Sequence, residues 1–375
     1  MKVFHIINSY SRAGAEILVS QLLAAMPRDW EKHICAIGSS PDTKDSDLIH
    51  FLRLAGVNTH ELNKKVGAGR LKAVIQLRKI IKEVNPDIVH THCESPDFFG
   101  RIASIGLPVQ RFRTIHNHYP WPGNPFIGHL LEKVLSPLPV TSIGCSPGME
   151  KAFNQCAAAK RCRVTIVNGI KLLPLRDPSY EKREWLRFLK LPSETILVGT
   201  VGRVARQKGH DLLIRALPAL LKKFPNVVVA VAGSVTTEPE YYKQIETMLE
   251  ESQLRSAVRF VGAVEEVPSF MSACDVLVFP SRWEGLSLAI LEALSSGTPT
   301  LVSSCHPHPE LLTGPYAQLL FEVENVRDLE RALFWILGAK SGAVPDSRSL
   351  VETEYSFERM LQGYMDCYLL KQQSN

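Results

Sequence analysis

The sequence predicts an α/β protein built from two parallel, doubly wound domains. Three observations carry this. The chain has 375 residues, more than one ordinary hydrophobic core organises. Short apolar runs alternate with helical patterns from end to end, the order that builds parallel sheets. The alternation breaks at a stretch marked by Pro174 and Pro178, read as a linker, and then restarts.

In the first half, Val3–Asn8 reads as a strand, Ala15–Met26 as a helix, His33–Ile37 as a strand and Leu48–Leu54 as a helix. Leu71–Val84 is amphipathic, with Val74, Ile75, Leu77, Ile80, Ile81 and Val84 at helical spacing. Asp87–Thr91, Phe112–Ile115, Thr141–Cys145 and Val164–Val167 read as strands. After the prolines come strands at Ile196–Val201, Val227–Ala232, Val258–Val261, Val276–Phe279, Thr300–Val302 and Gln318–Phe321. Helices are expected at Asp211–Lys222, Glu240–Glu251, Val326–Leu337 and Phe357–Leu370. The expected domains are residues 1–172 and 173–354, with 355–375 as a closing helix. Ligands of such sheets bind outside the carboxyl ends of the strands.

Composition narrows the class. With 45% hydrophobic and 22% charged residues the chain reads as globular. Its eight cysteines contain no Cys-x-x-Cys pair, which reads as reduced thiols in a cytoplasmic protein. Val3–Ile7 is short, broken by His5 and followed by polar residues, so it does not read as a secretory signal. The most apolar run, Val227–Ala232, is far shorter than the roughly 20 residues needed to cross a bilayer. Residues 1–171 carry 22 Lys and Arg against 13 Asp and Glu, net +9, whereas the remainder carries 21 against 25, net −4. A basic half suggests an acidic substrate or peripheral attachment at the anionic inner face of a membrane. The basic residues lack the aromatic interleaving of a nucleic-acid surface, so no nucleic acid is expected.

Several segments could carry chemistry. Glu284 and Glu292 lie eight residues apart, and from Leu286 to Leu294 every residue except Ser287 and Glu292 is apolar. A carboxylate in so apolar a helix needs a fixed partner or a cavity where a ligand supplies one. Gly202, Arg203, Lys208 and Gly209 follow a strand and precede a helix, the place of a phosphate-binding turn. No Gly-Lys-Ser/Thr follows, so it is not a Walker loop. Gly285 and Ser287 sit at a helix entry, where free N–H groups bind anions. Gly14-Ala15-Glu16 is another strand-to-helix loop. Three His-x-His pairs, at His90/His92, His116/His118 and His306/His308, offer ligands for a metal or hydrogen bonds to a substrate. Asp45-Ser46-Asp47 reads as a solvated loop. Tyr119–Phe126, rich in proline and aromatics, reads as irregular surface that could grip an acceptor or a membrane.

Gly202-Arg203-x4-Lys208-Gly209, then Glu284-Gly285-x6-Glu292-Ala293, then Gly297-Thr298-Pro299 resemble the retaining nucleotide-sugar glycosyltransferases of family 4. Lesser similarities, among them Pro86–His92, Thr114–His116, Asn168-Gly169 and Pro280-Ser281, run along nearly the whole chain. The resemblance implies the GT-B fold: two facing Rossmann-like domains, acceptor side first and donor side second, with the donor cleft between them and the last helix crossing back. It implies a nucleotide-diphosphate sugar as co-substrate, a saccharide or lipid-linked acceptor, and no metal or other cofactor. Arg203 and Lys208 would neutralise the diphosphate. Gly285, Ser287 and Leu288 would present N–H groups to it. Glu284 would face the sugar hydroxyls, Glu292 the ribose, and His116 the transferred sugar. Gly14, Gly202 and Gly262 would let backbone approach the donor. The sequence departs from the family pattern at Ser287, at Ser303–Pro309 and at Lys171, which bears on donor and acceptor identity. The alternatives are a nucleotide-sugar epimerase of the same fold, a metal-dependent hydrolase using the His-x-His pairs, and a non-catalytic nucleotide-sugar-binding protein.

Overall fold

The computed structural model describes residues 1–11, 13–38, 47–62, 69–116, 125–155, 163–340 and 342–372. Asp45, Ser46, His118 and residues 119–124 of the aromatic stretch lie outside them. The chain divides into two compact units, Met1–Asn168 with Glu358–Asn375, and Gly169–Phe357.

The first unit runs β1 (Lys2–Ile7), α1 (Gly14–Ala25), β2 (Glu31–Ala36), α2 (Asp47–Leu54), β3 (Val57–Glu61), α3 (Arg70–Val84), β4 (Ile88–His92), α4 (Glu94–Ala103), β5 (Gln110–Ile115), α5 (Pro125–Leu135), β6 (Thr141–Gly144), α6 (Glu150–Gln155) and β7 (Arg163–Thr165). Its sheet has the order β3-β2-β1-β4-β5-β6-β7 and every pairing is parallel. The second unit runs α7 (Pro178–Phe188), β8 (Ile196–Val201), α8 (His210–Lys223), β9 (Val227–Ala232), α9 (Pro239–Glu251), β10 (Val258–Gly262), α10 (Val267–Ala273), β11 (Val276–Phe279), α11 (Leu288–Ser295), β12 (Thr300–Ser303), α12 (His308–Leu311), β13 (Leu320–Phe321), α13 (Val326–Gly338) and α14 (Arg348–Glu354). Its sheet, order β10-β9-β8-β11-β12-β13, is also parallel throughout. The last helix, α15 (Phe357–Gln372), belongs to the first unit from Glu358 onward.

Both sheets are doubly wound, as the alternation of short apolar runs and helical patterns predicts. In each, the strand order reverses once, between β1 and β4 and between β8 and β11. Such switch points open a crevice at the carboxyl ends of the two strands. In the second unit that crevice is bounded by the Gly202–Gly209 loop after β8 and the Pro280–Ser287 loop after β11.

Some readings need correction. The Pro174–Pro178 stretch is not all linker: Pro178 opens α7, and the Asp177 side chain accepts the Ser179 N–H at 2.9 Å as its cap. Proline suits a first helical position because no N–H is needed there. Pro125 likewise opens α5, so the Tyr119–Phe126 stretch ends in a helix rather than an irregular surface. Gln318 and Leu319 close a 3-10 turn, Gly314–Leu319, and only Leu320–Phe321 joins the sheet. β3, α4, α5, α6, α7, α10, α12 and α14 were not foreseen. Lys171, where the family often has aspartate, has its ammonium 5.3 Å from the centre of the Phe357 ring.

A four-charge cluster holds α4, β5 and α5 together. Arg113 Nη1 lies 3.0 Å from Asp97 Oδ2 and 2.6 Å from Glu132 Oε1. Arg101 Nη2 lies 2.9 and 3.2 Å from the same two oxygens. All four side chains are buried. Removing one member of a buried ion group leaves uncompensated charge and typically costs about 3–5 kcal/mol. Arg113→Met is therefore expected to lower unfolding free energy by about 3–5 kcal/mol, read by denaturant titration against the parent protein.

Candidate active site

In the second unit, β8 ends at Val201 and the chain turns through Gly202 (φ 152°). A 3-10 turn, Arg206–Lys208, closes on Gly209, whose φ of 67° is left-handed. A Cβ on Gly209 would stand 2.0 Å from the Pro280 carbonyl oxygen, so glycine is what lets this loop press against the start of the β11–α11 loop. That approach brings Lys208 to Glu284. The Lys208 Nζ lies 2.6 Å from Glu284 Oε1. Ser281 Oγ donates to the same oxygen at 2.8 Å, and Gln207 Nε2 donates to Oε2 at 3.3 Å. Glu284 is 4% exposed, and its buried charge thus has three donors.

Arg282 clips the two loops from below. Its N–H donates to the Gln207 carbonyl at 2.8 Å, and its guanidinium reaches the Arg206 carbonyl at 2.9 Å. It also forms a two-pronged pair with Asp211 at the head of α8, both contacts 2.8 Å. Gln207, Ser281, Arg282 and Asp211 were missed at sequence level. They are ordinary polar residues of βα loops, and only the chain's crossing at the switch point brings them together.

The other expected residues fall as follows. Arg203 is exposed and makes no hydrogen bond or ion pair among the described residues. Gly285 is buried and follows Glu284 directly. Ser287 is the N-cap of α11 without a side-chain cap bond, and Leu288 opens the helix, so the N–H groups of its first turn are available to an anion. Glu292, half-buried on α11, has no side-chain partner among the described residues, and burial pushes its carboxyl up to about 7. Gly262 ends β10 with open space beside its Cα (φ 81°). Gly14 and His116 lie in the first unit, Gly14 as the first residue of α1 and His116 one residue beyond β5.

The first His-x-His pair belongs to a larger group. His90 and His92 share a face of β4, and His5 on β1 is the register partner of His90. α15 covers this face and supplies Tyr364 and Tyr368. Ligand atoms of His5, His90 and His92 lie within 4.8 Å of one another, a spacing a metal could use. Yet both ring nitrogens of each are hydrogen-bonded: His5 to His92 and Tyr368, His90 to Tyr368 and Thr114, His92 to His5 and His116. The hydrolase reading thus finds no open ligand set here. Burial holds His5 down to about 3 and His116 down to about 4. Burial and neighbouring histidines hold His90 and His92 well below the usual range. Of the third pair, His306 Nε2 lies 3.1 Å from Glu310 Oε1, and His308 Nδ1 meets the Ser303 carbonyl at 2.8 Å.

Residues 181–348 match the family Glycosyl transferases group 1, and residues 12–172 match Glycosyltransferase Family 4. The lipopolysaccharide core biosynthesis mannosyltransferase LpsB of Rhizobium meliloti is 33% identical over 150 residues, 40% of this chain and 42% of that protein. An Escherichia coli UDP-Gal:alpha-D-GlcNAc-diphosphoundecaprenol alpha-1,3-galactosyltransferase is 25% identical over 276 residues, 70% of this chain and 69% of the relative. Among solved structures, Anabaena Alr3699/HepE in complex with UDP-glucose superposes with a TM-score of 0.84 at 18% identity, covering 100% of both chains.

Glu292 gives a stability test. Its carboxyl is raised in the folded state from 4.5 to about 7, so folding favours the protonated form. The stabilising contribution is complete below pH 4.5 and is lost as pH rises through 7. Glu292→Gln is expected to stabilise the unliganded protein by roughly 1–2 kcal/mol at pH 8, allowing for partial exposure, and to make no difference near pH 4. Melting curves of both proteins across that range check the sign.

Proposed function

The chain is a glycosyltransferase of the GT-B fold, and from that premise we propose that it moves a sugar from a nucleoside-diphosphate donor to a hydroxyl acceptor with retention of anomeric configuration. The observation that carries this reading is the β8–β11 switch point, where free Arg203, the Lys208–Glu284 pair and the open N-terminus of α11 come from adjoining loops. This is the charge set that a departing diphosphate requires.

In the proposed reaction the bond from the anomeric carbon to the diphosphate breaks, and the acceptor oxygen bonds to that carbon on the same face. The acceptor's proton passes to the leaving phosphate oxygen. Arg203, Lys208 and the N–H groups of Gly285, Ser287 and Leu288 stabilise the growing charge without a metal ion. Lys208 keeps one of its three N–H donors on Glu284 and offers the others to phosphate. Glu284 accepts from a sugar hydroxyl, Glu292 accepts from the ribose, and Gly14, Gly202 and Gly262 leave room for the donor. His116 hydrogen-bonds the transferred sugar. The product belongs to a cell-surface polysaccharide or lipopolysaccharide, the setting named for the mannosyltransferase LpsB, and a uridine diphosphate sugar is the first donor to test. We place the protein at the cytoplasmic face of a membrane. On α3, exposed Leu71 and Ile75 stand among exposed Lys72, Lys79 and Lys82, a mixture suited to an anionic lipid surface.

Two outcomes are expected. A thermal-shift comparison of UDP, GDP and ADP, with their sugars, should show one nucleotide raising the melting temperature. Arg203→Ala and Lys208→Ala should each cut turnover of the matching donor by about 10²–10³. Arg203→Ala should leave the unliganded melting curve near that of the parent, whereas Lys208→Ala, which strips buried Glu284 of its cation, should lower it. Parental rates in both variants would sink the assignment. Separately, the protein should sediment with phosphatidylglycerol-containing vesicles at low salt and be released as salt is raised. Indifference to salt or to lipid charge counts against the membrane reading.

A further inference from the structure

The histidines under α15 form one unbranched hydrogen-bond chain that ends at His116. From the inner end, Tyr364 OH lies 3.1 Å from Thr114 Oγ1, which lies 2.8 Å from His90 Nε2. His90 Nδ1 meets Tyr368 OH, which lies 3.2 Å from His5 Nε2. His5 Nδ1 is 3.0 Å from His92 Nε2, and His92 Nδ1 is 3.1 Å from His116 Nε2. His116 Nδ1 has no partner among the described residues.

A neutral imidazole has one N–H, so a histidine that accepts at one nitrogen must donate from the other. Burial keeps these rings neutral and both phenols protonated. The chain therefore has two unbroken orders, since any order in which Thr114 or Tyr368 accepts from both sides leaves that buried hydroxyl's own proton without an acceptor among the described residues. If protons point inward, His116 donates from Nε2 and each group passes the donation on, until Thr114 donates to the Tyr364 oxygen. The Tyr364 O–H, on a side chain only 1% exposed, is then left with no acceptor among the described residues. If protons point outward, Tyr364 donates to Thr114, Thr114 to His90, His90 to Tyr368, Tyr368 to His5, His5 to His92, and His92 to His116 Nε2. Only the His116 Nδ1–H is then left without a partner among the described residues, and His116, unlike Tyr364, is partly exposed, so water or a ligand can accept from it. A buried donor without an acceptor is costly, so the outward order is the stable one.

We propose that this chain is a tautomer-setting relay that fixes His116 with its hydrogen on Nδ1, so that His116 meets its ligand as a hydrogen-bond donor and not as a base. His5, His92, His90, Tyr368, Thr114 and Tyr364 are positioning residues, acting through His116. The tautomer follows from the chain alone. What His116 donates to, an oxygen of the transferred sugar, rests on the reading under Proposed function.

Ring 15N spectra of histidine-labelled protein test the relay without substrate, with His116 assigned by its loss in His116→Asn. The parent protein should show a protonated Nδ1 and a bare Nε2 at His116 near pH 7.5. A bare Nδ1 or an even mixture overturns the proposal. Tyr368→Phe cuts the chain and leaves His90 Nδ1 and His5 Nε2 unpaired in either order, so the gap between the orders narrows and the His116 signals should move toward averaged values. Unchanged signals in a folded Tyr368→Phe protein also overturn it. In donor turnover, His116→Asn, whose amide N–H can take the place of Nδ1–H, should retain more activity than His116→Ala. Equal loss in both overturns the donor role. If no donor is turned over by the parent protein, the transferase reading fails by itself, and the spectra still decide the tautomer.

Discussion

A carboxylate taken out of water must bring its own counter-charge, and the local structure of the second unit follows from how Glu284 meets that demand. Its cation comes from Lys208, on a different loop. The two loops touch only because Gly209 has no Cβ to collide with Pro280, and they stay in register because Arg282 grips both the Gln207–Arg206 carbonyls and Asp211. Glycine, lysine and arginine here are one arrangement: remove the close approach and Glu284 is a buried charge without a counter-charge.

This pairing changes how the site's charge should be counted. Read from sequence, Arg203 and Lys208 are two free cations for a diphosphate. In the structure Lys208 is already neutralised by Glu284, and Arg203 and Arg206 are the exposed cations of the loop. Under the proposed reading, an incoming phosphate meets the exposed Arg203 guanidinium, the N–H groups at the head of α11 and an ammonium whose position is set beforehand. Fixed donors of this kind need no reorganisation as charge develops, which is the property a leaving group exploits. Glu292 is the opposite case. No side chain among the described residues satisfies it, and burial raises its pKa, an unmet demand that the proposed ribose hydroxyls would answer.

Much of this was legible in the sequence because it is periodic or local. Parallel strands buried on both faces appear as unbroken apolar runs, such as Val227–Ala232, and the restart after the prolines separates the two sheets. Glu292 stood out for the same reason, as a charge where the pattern allows none. What stayed hidden depends on chain crossing. Nothing local says that Lys208 meets Glu284, 76 residues away, or that Arg282 reaches Asp211. His5 looked like a mere polar interruption of the first strand, and nothing in the sequence pattern singled out the tyrosines of α15. Their partners lie up to 363 residues away. Proline misled the reading twice, at Pro125 and Pro178, because it ends one kind of structure and opens another with equal ease.

Within the first unit polar groups are buried in two different ways, and the difference bears on what each can do. Beneath α4 and α5 the first unit balances full charges, Arg101 and Arg113 against Asp97 and Glu132, which fixes geometry but has no second state. Beneath α15 it buries neutral histidines and tyrosines, each a donor and an acceptor at once. Such a chain has a direction, and the direction is set by whichever end lacks an alternative. Tyr364 is that end, since its buried O–H has no acceptor but Thr114 among the described residues. A side chain far from His116 in sequence thereby decides which of its nitrogens holds the proton, a property that neither the burial nor the pKa of His116 alone determines.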